Sequence, residues 1–356
     1  MLTQDDRALI TALQIAPRAS WSDVGTALGI SGVTAARRWR RIAADGTAWI
    51  TAAPGIARRV EQCVAYVEID CVPAQRLAVA TRLAQHEFVV TVEITTGSAD
   101  ILVTVGAADL ATLSHYLLDH LGATEHVLRT RVRMATKAYT EGSSWRLTEL
   151  DRSAVQTLER SRPDGEAVDG DPGGVELTPA MQQIARLLSV DGRASYAELA
   201  ADSGMSPTTV RRIVSRLLGA GLVLPRTDVA AELSGTPVQV YLWGDAPVRE
   251  LPRTAGTLAQ LRQVRLCATV SSAPSLVVCA WLHTVEEVHR LELTIANQLP
   301  DLRILDRLIV LRTVKRMGRL VDPQGRAVGV VPISLWEDRP HSMASAAPAR
   351  SHAEGL

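Results

Sequence analysis

The sequence predicts an α+β protein in which one two-part plan occurs twice: three short helices with tight turns, then a βαββαβ unit. Three observations carry this expectation. The stretch Leu2 to Gly46 returns as Leu177 to Gly221 at a constant shift of 175 positions, without a gap. From residue 63 to 141 the helical spacing gives way to alternating apolar residues interrupted by two helical runs. A similar rhythm resumes between residues 238 and 333. The repeat is longer than a solenoid unit of a few dozen residues, so it is a duplicated module.

The elements follow in order. Leu9, Ile10 and Leu13 lie at helical spacing over residues 3–16, with Asp5 and Asp6 in the first turn, where a helix dipole favours them; Pro17 ends the run. Ser20 caps a second helix from Trp21 to Leu28, stopped by Gly29, and Ser31 caps a third that runs to about Ala44 before Gly46. This is the helix-turn-helix pattern. Trp49-Ile50-Thr51 suits a β wing. In the second copy Thr178 caps Pro179–Val190, Ser195 caps Tyr196–Asp202, and Ser206 caps a helix from Pro207 to near Gly221.

Strands are expected at Cys63–Val72, Phe88–Thr96, Ile101–Val105 and Val127–Ala138, with helices at Pro73–His86 and Asp109–Leu121. The order is the split βαβ, or ferredoxin-like, plan. The second unit reads as strands Val238–Trp243, Val264–Val270, Leu276–Trp281 and Ile304–Val314, with helices near Val248–Leu261 and Val285–Leu299. The resulting boundaries are 1–58 and 59–145 for the first copy and 177–232 and 233–335 for the second. A linker is expected at 146–176, acidic and flexible from residue 159 onward, and a disordered tail at 336–356.

Composition limits function. In 356 residues the formal net charge is zero, so any field that attracts nucleic acid must come from local clusters. No apolar run approaches a membrane span or a signal peptide, which predicts a cytoplasmic protein. Cys63, Cys71, Cys267 and Cys279 form no Cys-x-x-Cys pair and read as small apolar fillers. No carboxylate pair, Cys/His pair or phosphate loop stands out, so no catalytic residue, metal or cofactor is expected.

The third helix of each copy carries the candidate chemistry. In the first, Ser31, Val33 and Thr34 stand at the N-terminal end and Arg37, Arg38, Arg40 and Arg41 follow; in the second, Ser206, Thr208 and Thr209 precede Arg211, Arg212 and Arg216. A helix fits the major groove of double-stranded DNA, where small and hydroxyl residues at its start reach base edges and arginines pair with phosphate or guanine. The second helix has fewer charges, which predicts weaker binding or a different base preference.

These residues carry a resemblance. Asp6-x-x-x-Ile10-x-x-Leu13, Arg18-x-Ser20-x-x-x-Val24 and Leu28-Gly-Ile-Ser31-x-x-Thr34-x-x-Arg37-Arg38 resemble the N-terminal domain of Lrp/AsnC-type transcriptional regulators. So do Gly192-Arg-Ala-Ser-Tyr-Ala-Glu-Leu-Ala200 and Gly204-Met-Ser-Pro-Thr-Thr-Val-Arg-Arg212. The resemblance implies winged helix-turn-helix domains joined to ferredoxin-like (AsnC/RAM-type) domains that dimerise and bind a small effector, often an amino acid. It also implies assembly, as a pseudo-dimer within the chain and as a homo-oligomer. The family's Gly-x-x-Asp effector turn is matched by Thr96, Gly97, Ser98 and Asp100; the second copy has Ser271-Ser-Ala-Pro-Ser275 there and lacks both Gly and Asp. Sirohaem decarboxylases resemble the same two-domain plan, and for that enzymatic alternative His126, Arg129, Arg131 and Arg133 are the nearest candidates; a further alternative is a co-regulator that assembles with other family members and does not bind DNA.

Overall fold

The structure is a computed structural model that describes residues 2–54, 62–161 and 177–333. The first copy opens with α1 (Gln4–Ile15), α2 (Trp21–Leu28) and α3 (Gly32–Ala44). Thr3, Ser20 and Ser31 cap them, each hydroxyl accepting the backbone N–H three residues on. Gly29 closes α2 in the left-handed region at φ 65°, a conformation that costs a residue without a Cβ little. Strand β1 (Ala48–Pro54) follows, buried at all seven positions.

The first βαββαβ unit is β2 (Cys63–Cys71), α4 (Arg76–Ala84), β3 (Val89–Thr95), β4 (Ile101–Ala107), α5 (Leu110–His115, running on as a π turn to Leu121) and β5 (Val127–Thr140). Then comes an element the sequence reading missed. Within the expected linker 146–176, Asp151 caps α6 (Arg152–Arg160), which buries Ala154 and Leu158 and packs on α1 and α2. The Asp cap and the spacing of Ala154 and Leu158 were its sequence signal. The remainder of that linker from 162, and the expected tail, lie outside the described residues.

The second copy repeats the plan as α7 (Pro179–Val190), α8 (Tyr196–Ser203), α9 (Pro207–Gly219), β6 (Val223–Val229), a short α10 (Ala231–Ser234), β7 (Val238–Asp245), α11 (Leu251–Ala259), β8 (Val264–Val270), β9 (Leu276–Leu282), α12 (Glu286–Gln298) and β10 (Arg303–Arg316). A hairpin of β11 (Arg319–Val321) and β12 (Ala327–Val330), not expected from sequence, reaches back to the base of α3. There the Ala327 N–H donates to Gly46 O at 2.8 Å.

The two copies are related by a two-fold operation written into the strand register. Strand β1 occupies the wing position, yet among the described residues it pairs with no strand of its own copy. It pairs antiparallel with β6, from Ala48 opposite Val229 to Pro54 opposite Val223. The central pair is Thr51 and Arg226, which are 175 positions apart, so the axis passes between them.

The long strands β5 and β10 do the rest. Each spends its first half in its own sheet, β5 on β2 and β10 on β7. Its second half crosses to the other copy: Ala135 faces Val270 on β8, and Val310 faces Thr95 on β3. Both partners differ by 175, so the two crossings are equivalent. Fourteen residues span about 46 Å, enough to serve two sheets.

The strand order β10-β3-β4-β2-β5-β8-β9-β7 closes because β7 also pairs with β10, giving an eight-stranded barrel from which β11 and β12 project. Helices α4 and α5 cover one sheet outside through Val79, Leu83 and Leu113, and α11 and α12 cover the other through Leu258, Leu291 and Ile295. Tyr66 and Trp243 meet edge to face inside, 6.4 Å between centroids.

The helical domains meet across the same axis. Arg18 donates to Gly192 O at 2.7 Å and Ala194 O at 3.0 Å. Arg193 donates to Pro17 O and Ala19 O, both at 2.6 Å, and lies 3.8 Å over the Trp21 ring. Replacing Arg193 with Met removes both charged hydrogen bonds. Chemical denaturation is expected to show a loss of about 1.5–3 kcal/mol, and Arg18→Met should cost a similar amount.

Candidate nucleic-acid interface

Helix α3 buries Ala35, Trp39 and Ile42 and turns the opposite side outward. Ser31, Arg37, Arg40 and Arg41 are exposed there, and Val33 is 77% exposed, an apolar group free to meet a thymine methyl. The Ser31 hydroxyl accepts the Thr34 N–H at 3.1 Å and lies 2.8 Å from the Thr34 hydroxyl. Helix α9 repeats this. Val210, Ile213, Val214 and Leu217 are buried, while Ser206, Thr208, Arg211, Arg212 and Arg216 face out. Ser206 and Thr209 form the same cap, at 3.1 Å and 2.9 Å. The sequence-predicted residues are therefore brought together in two exposed strips.

The charges are not distributed as the sequence suggested. Arg38 pairs with Asp5 at 2.9 Å and Arg41 with the buried Asp6 at 2.6 Å. Only Arg37 and Arg40 of the first strip lack an ion pair among the described residues. In the second copy the positions equivalent to Asp5 and Asp6 are Ala180 and Met181. Arg212 and Arg216 have no acidic partner among the described residues, and Arg211 lies 5.2 Å from the Tyr196 ring. So α9, expected to be the weaker reader for its fewer charges, keeps its cations available, while α1 neutralises half of those on α3. Sequence reading assigned Asp5 and Asp6 to the helix dipole and missed this second role.

The predicted effector turn lies at the seam between copies. Gly97 has φ 88°, and a Cβ there would lie 2.7 Å from Arg307 O. The Thr96 N–H donates to Ile309 O at 2.9 Å and its hydroxyl accepts the Ile309 N–H at 3.0 Å. Ser271, at the equivalent place, makes the same pair of bonds with Met134. Asp100 accepts the Cys71 N–H at 2.9 Å and pairs with Arg76. Ser98 bonds Asp306 through its hydroxyl and accepts from Arg131 through its carbonyl at 2.6 Å.

Three of the four residues weighed for the enzymatic alternative stand against carboxylates. Arg131 pairs with Glu68 and Asp70 at 3.0 and 2.9 Å. Arg133 pairs with Glu68 at 2.6 Å and sits 4.5 Å from the Trp243 ring centroid. His126 stands beside Glu125, and Arg129 is exposed. All four cysteines are free thiols, and burial pushes Cys267 and Cys279 up to about 12, far from the thiolate range. No helix among the described residues is long and apolar enough to cross a membrane.

Comparison with known proteins agrees with this architecture. The AsnC-type helix-turn-helix domain matches residues 2–42, and the Lrp/AsnC ligand binding domain matches 64–145. A winged helix-turn-helix DNA-binding domain matches 180–223. Lrp/AsnC-type domains thus account for most of the first copy, and a winged helix-turn-helix opens the second. An uncharacterized HTH-type transcriptional regulator of Pyrococcus furiosus is 29% identical over 137 residues, 38% of this chain and 93% of the relative. One from Pyrococcus horikoshii is 26% identical over 136 residues, 38% of this chain and 86% of the relative. Each relative thus spans about one unit of this chain. Among solved structures, the siroheme decarboxylase NirDL shares the two-unit fold at TM-score 0.55 and 14% identity, covering 87% of this chain and 93% of its own.

Asp6 gives a pH test of the α1–α3 contact. Burial pushes its carboxyl up, but the Arg41 pair and the bonds with Thr3 outweigh this and hold it below the usual carboxylate value. A carboxyl depressed in the folded state stabilises above its unfolded value of about 3.8, and that contribution is lost as pH falls through the folded value. Thermal midpoints measured from pH 7 to pH 3 should therefore fall more steeply in the wild type than in Asp6→Asn. The same variant releases Arg41 and should steepen the salt dependence of DNA binding by up to about one ion.

Proposed function

We propose that this chain is a sequence-specific, DNA-binding transcriptional regulator whose two unlike reading helices, α3 and α9, address the two halves of one site. One observation carries the reading. Two helices related by the internal two-fold each present a capped N-terminal end of small and hydroxyl residues, followed by outward arginines, of which Arg37, Arg40, Arg212 and Arg216 have no ion pair among the described residues. Arginines supply the phosphate term common to all sequences, and Val33, Thr34, Thr208 and Thr209 supply discrimination at base edges. The Lrp/AsnC-type domain matches and the names of the Pyrococcus relatives support it. A small effector that modulates DNA binding belongs to the same reading.

Selection of genomic fragments with the purified chain tests it. The expected product is a site with two different halves about 10 base pairs, or a multiple of that, apart. Retention of fragments without a shared sequence would sink it. Arg37→Ala and Arg212→Ala should each weaken binding to every sequence and lower the salt slope by about one. Thr34→Ala and Thr209→Ala should instead change base preference, each in a different half.

A second reading, an enzyme acting on a tetrapyrrole, has the whole-chain fold likeness to siroheme decarboxylase behind it. Siroheme mixed with the purified chain separates the two. An unshifted absorbance spectrum is expected for the regulator, and tight uptake with loss of carboxylates for the enzyme.

A further inference from the structure

The barrel is not filled. Between its two sheets, beneath the β1–β6 ribbon, lies a cavity of about 670 Å³, a size that takes small organic ligands. Its charged wall belongs mostly to one copy. Arg226, Asp228 and Arg265 line it, where the equivalent positions of the first copy are Thr51, Ala53 and Val90. Arg226 grips Asp228 through two bonds of 2.8 and 3.1 Å, and Arg265 also reaches Asp228. Arg316 pairs with Glu93 at 3.0 Å and bonds Gln239.

Arg265 is the group left short. It is 6% exposed, yet its Nη1 has no hydrogen-bond partner among the described residues. Its guanidinium lies 4.1 Å from the centroid of the Trp281 ring, which Arg316 also approaches at 4.7 Å. Burial pushes it down to about 10 against the pull of Asp228, with Arg316 and Arg226 adding to the push. A buried charged donor left open is costly unless something accepts from it. Around the whole wall the three arginines and Lys137 face three carboxyls, Asp228, Glu93 and Glu141, an excess of one positive charge. Much of the remaining wall is apolar or aromatic, with Val64, Tyr66, Val90, Leu266 and Trp281.

We propose that this cavity binds one small organic monocarboxylate per chain, its carboxylate accepting from Arg265 Nη1 and its apolar body lying against Val64, Tyr66 and Leu266. A single excess charge matches a monoanion better than a phosphate, and the apolar wall asks for a hydrocarbon portion. In the turn of Thr96 to Asp100 the side chains of Thr96 and Ser98 bond across the seam and that of Asp100 holds Cys71 and Arg76, whereas the cavity has a donor to spare. Strand β6, which carries Arg226 and Asp228, follows α9 directly, so an occupant bears on a reading helix. That consequence rests on the regulator reading; binding itself does not.

Calorimetric titration of the full chain without DNA tests the site, using phenylacetate, benzoate and isovalerate, with phenylacetamide and inorganic phosphate as controls. At least one of the three carboxylates should saturate a single site per chain, with the amide and phosphate weaker by roughly tenfold or more. Arg265→Met should weaken that carboxylate by a similar factor, and Arg129→Met, on an exposed arginine away from the cavity, should leave it unchanged. Because Arg265 also holds Asp228, Val64→Phe provides a second arm, filling the space with the charged cluster intact; it should abolish binding in a folded protein. Failure of all three carboxylates to bind, two sites per chain, equal binding of the amide or phosphate, or undiminished binding in folded Val64→Phe would overturn the proposal. Filter binding to the selected DNA is read separately. Carboxylate binding without DNA retention sinks the regulator reading and leaves the site standing, while DNA retention without carboxylate binding removes the site alone.

Discussion

The exchange of strand halves between the two copies is the constraint on which the rest of the molecule depends. Without it, each βαββαβ sheet would end in open edges at β3 and β8 and leave its inner face uncovered. Open edges invite pairing with foreign strands, and an uncovered apolar face seeks a partner. The crossing of β5 onto β8 and of β10 onto β3 answers both needs. It closes the hydrogen-bond ladder and turns two inner faces into one barrel interior. The β1–β6 ribbon then holds the helical domains over one end of the barrel. Reader position, seam geometry and cavity all follow from that closure.

Local pattern made much of this legible. Caps at Ser20, Ser31, Thr178, Ser195 and Ser206 located five helices, the spacing of Leu9, Ile10 and Leu13 located α1, and the alternation after residues 63 and 238 located the strands. Pairing partners were not legible, because Trp49-Ile50-Thr51 reads as a generic half-apolar strand whichever chain segment it joins. Helix α6 was hidden by its polar surroundings, although Asp151 and the spacing of Ala154 and Leu158 announced it. The residues named on α3 share one helix, as the spacing implied, but the pairing of their charges was not legible. The ion pairs of Arg38 and Arg41 depend on how α1 lies against α3, which no one-dimensional spacing reports. The cavity was invisible for a similar reason. Arg226, Arg265 and Arg316 look like surface arginines of separate strands until the barrel closes around them.

Duplication also permits what a symmetric pair cannot have. In a homodimer the residue nearest the axis faces a second copy of itself, so an arginine at the centre of the ribbon would meet an arginine. Here Arg226 meets Thr51, and Arg265 stands across the pseudo-symmetry from Val90. The cationic cluster therefore appears once, with Asp228 nested in it rather than with a repelling twin. The same freedom separates the two readers, since Ala180 and Met181 stand where Asp5 and Asp6 restrain the arginines of α3.

The crossed strands carry one more implication, for dosage. A pair assembled from separate subunits falls apart on dilution, and its occupancy of a target rises with the square of subunit concentration when monomers prevail. Here both halves of the barrel come from one polypeptide, so the pair is complete as soon as a single molecule has folded. Scarcity cannot dismantle it, and its response to its own abundance is graded rather than steep.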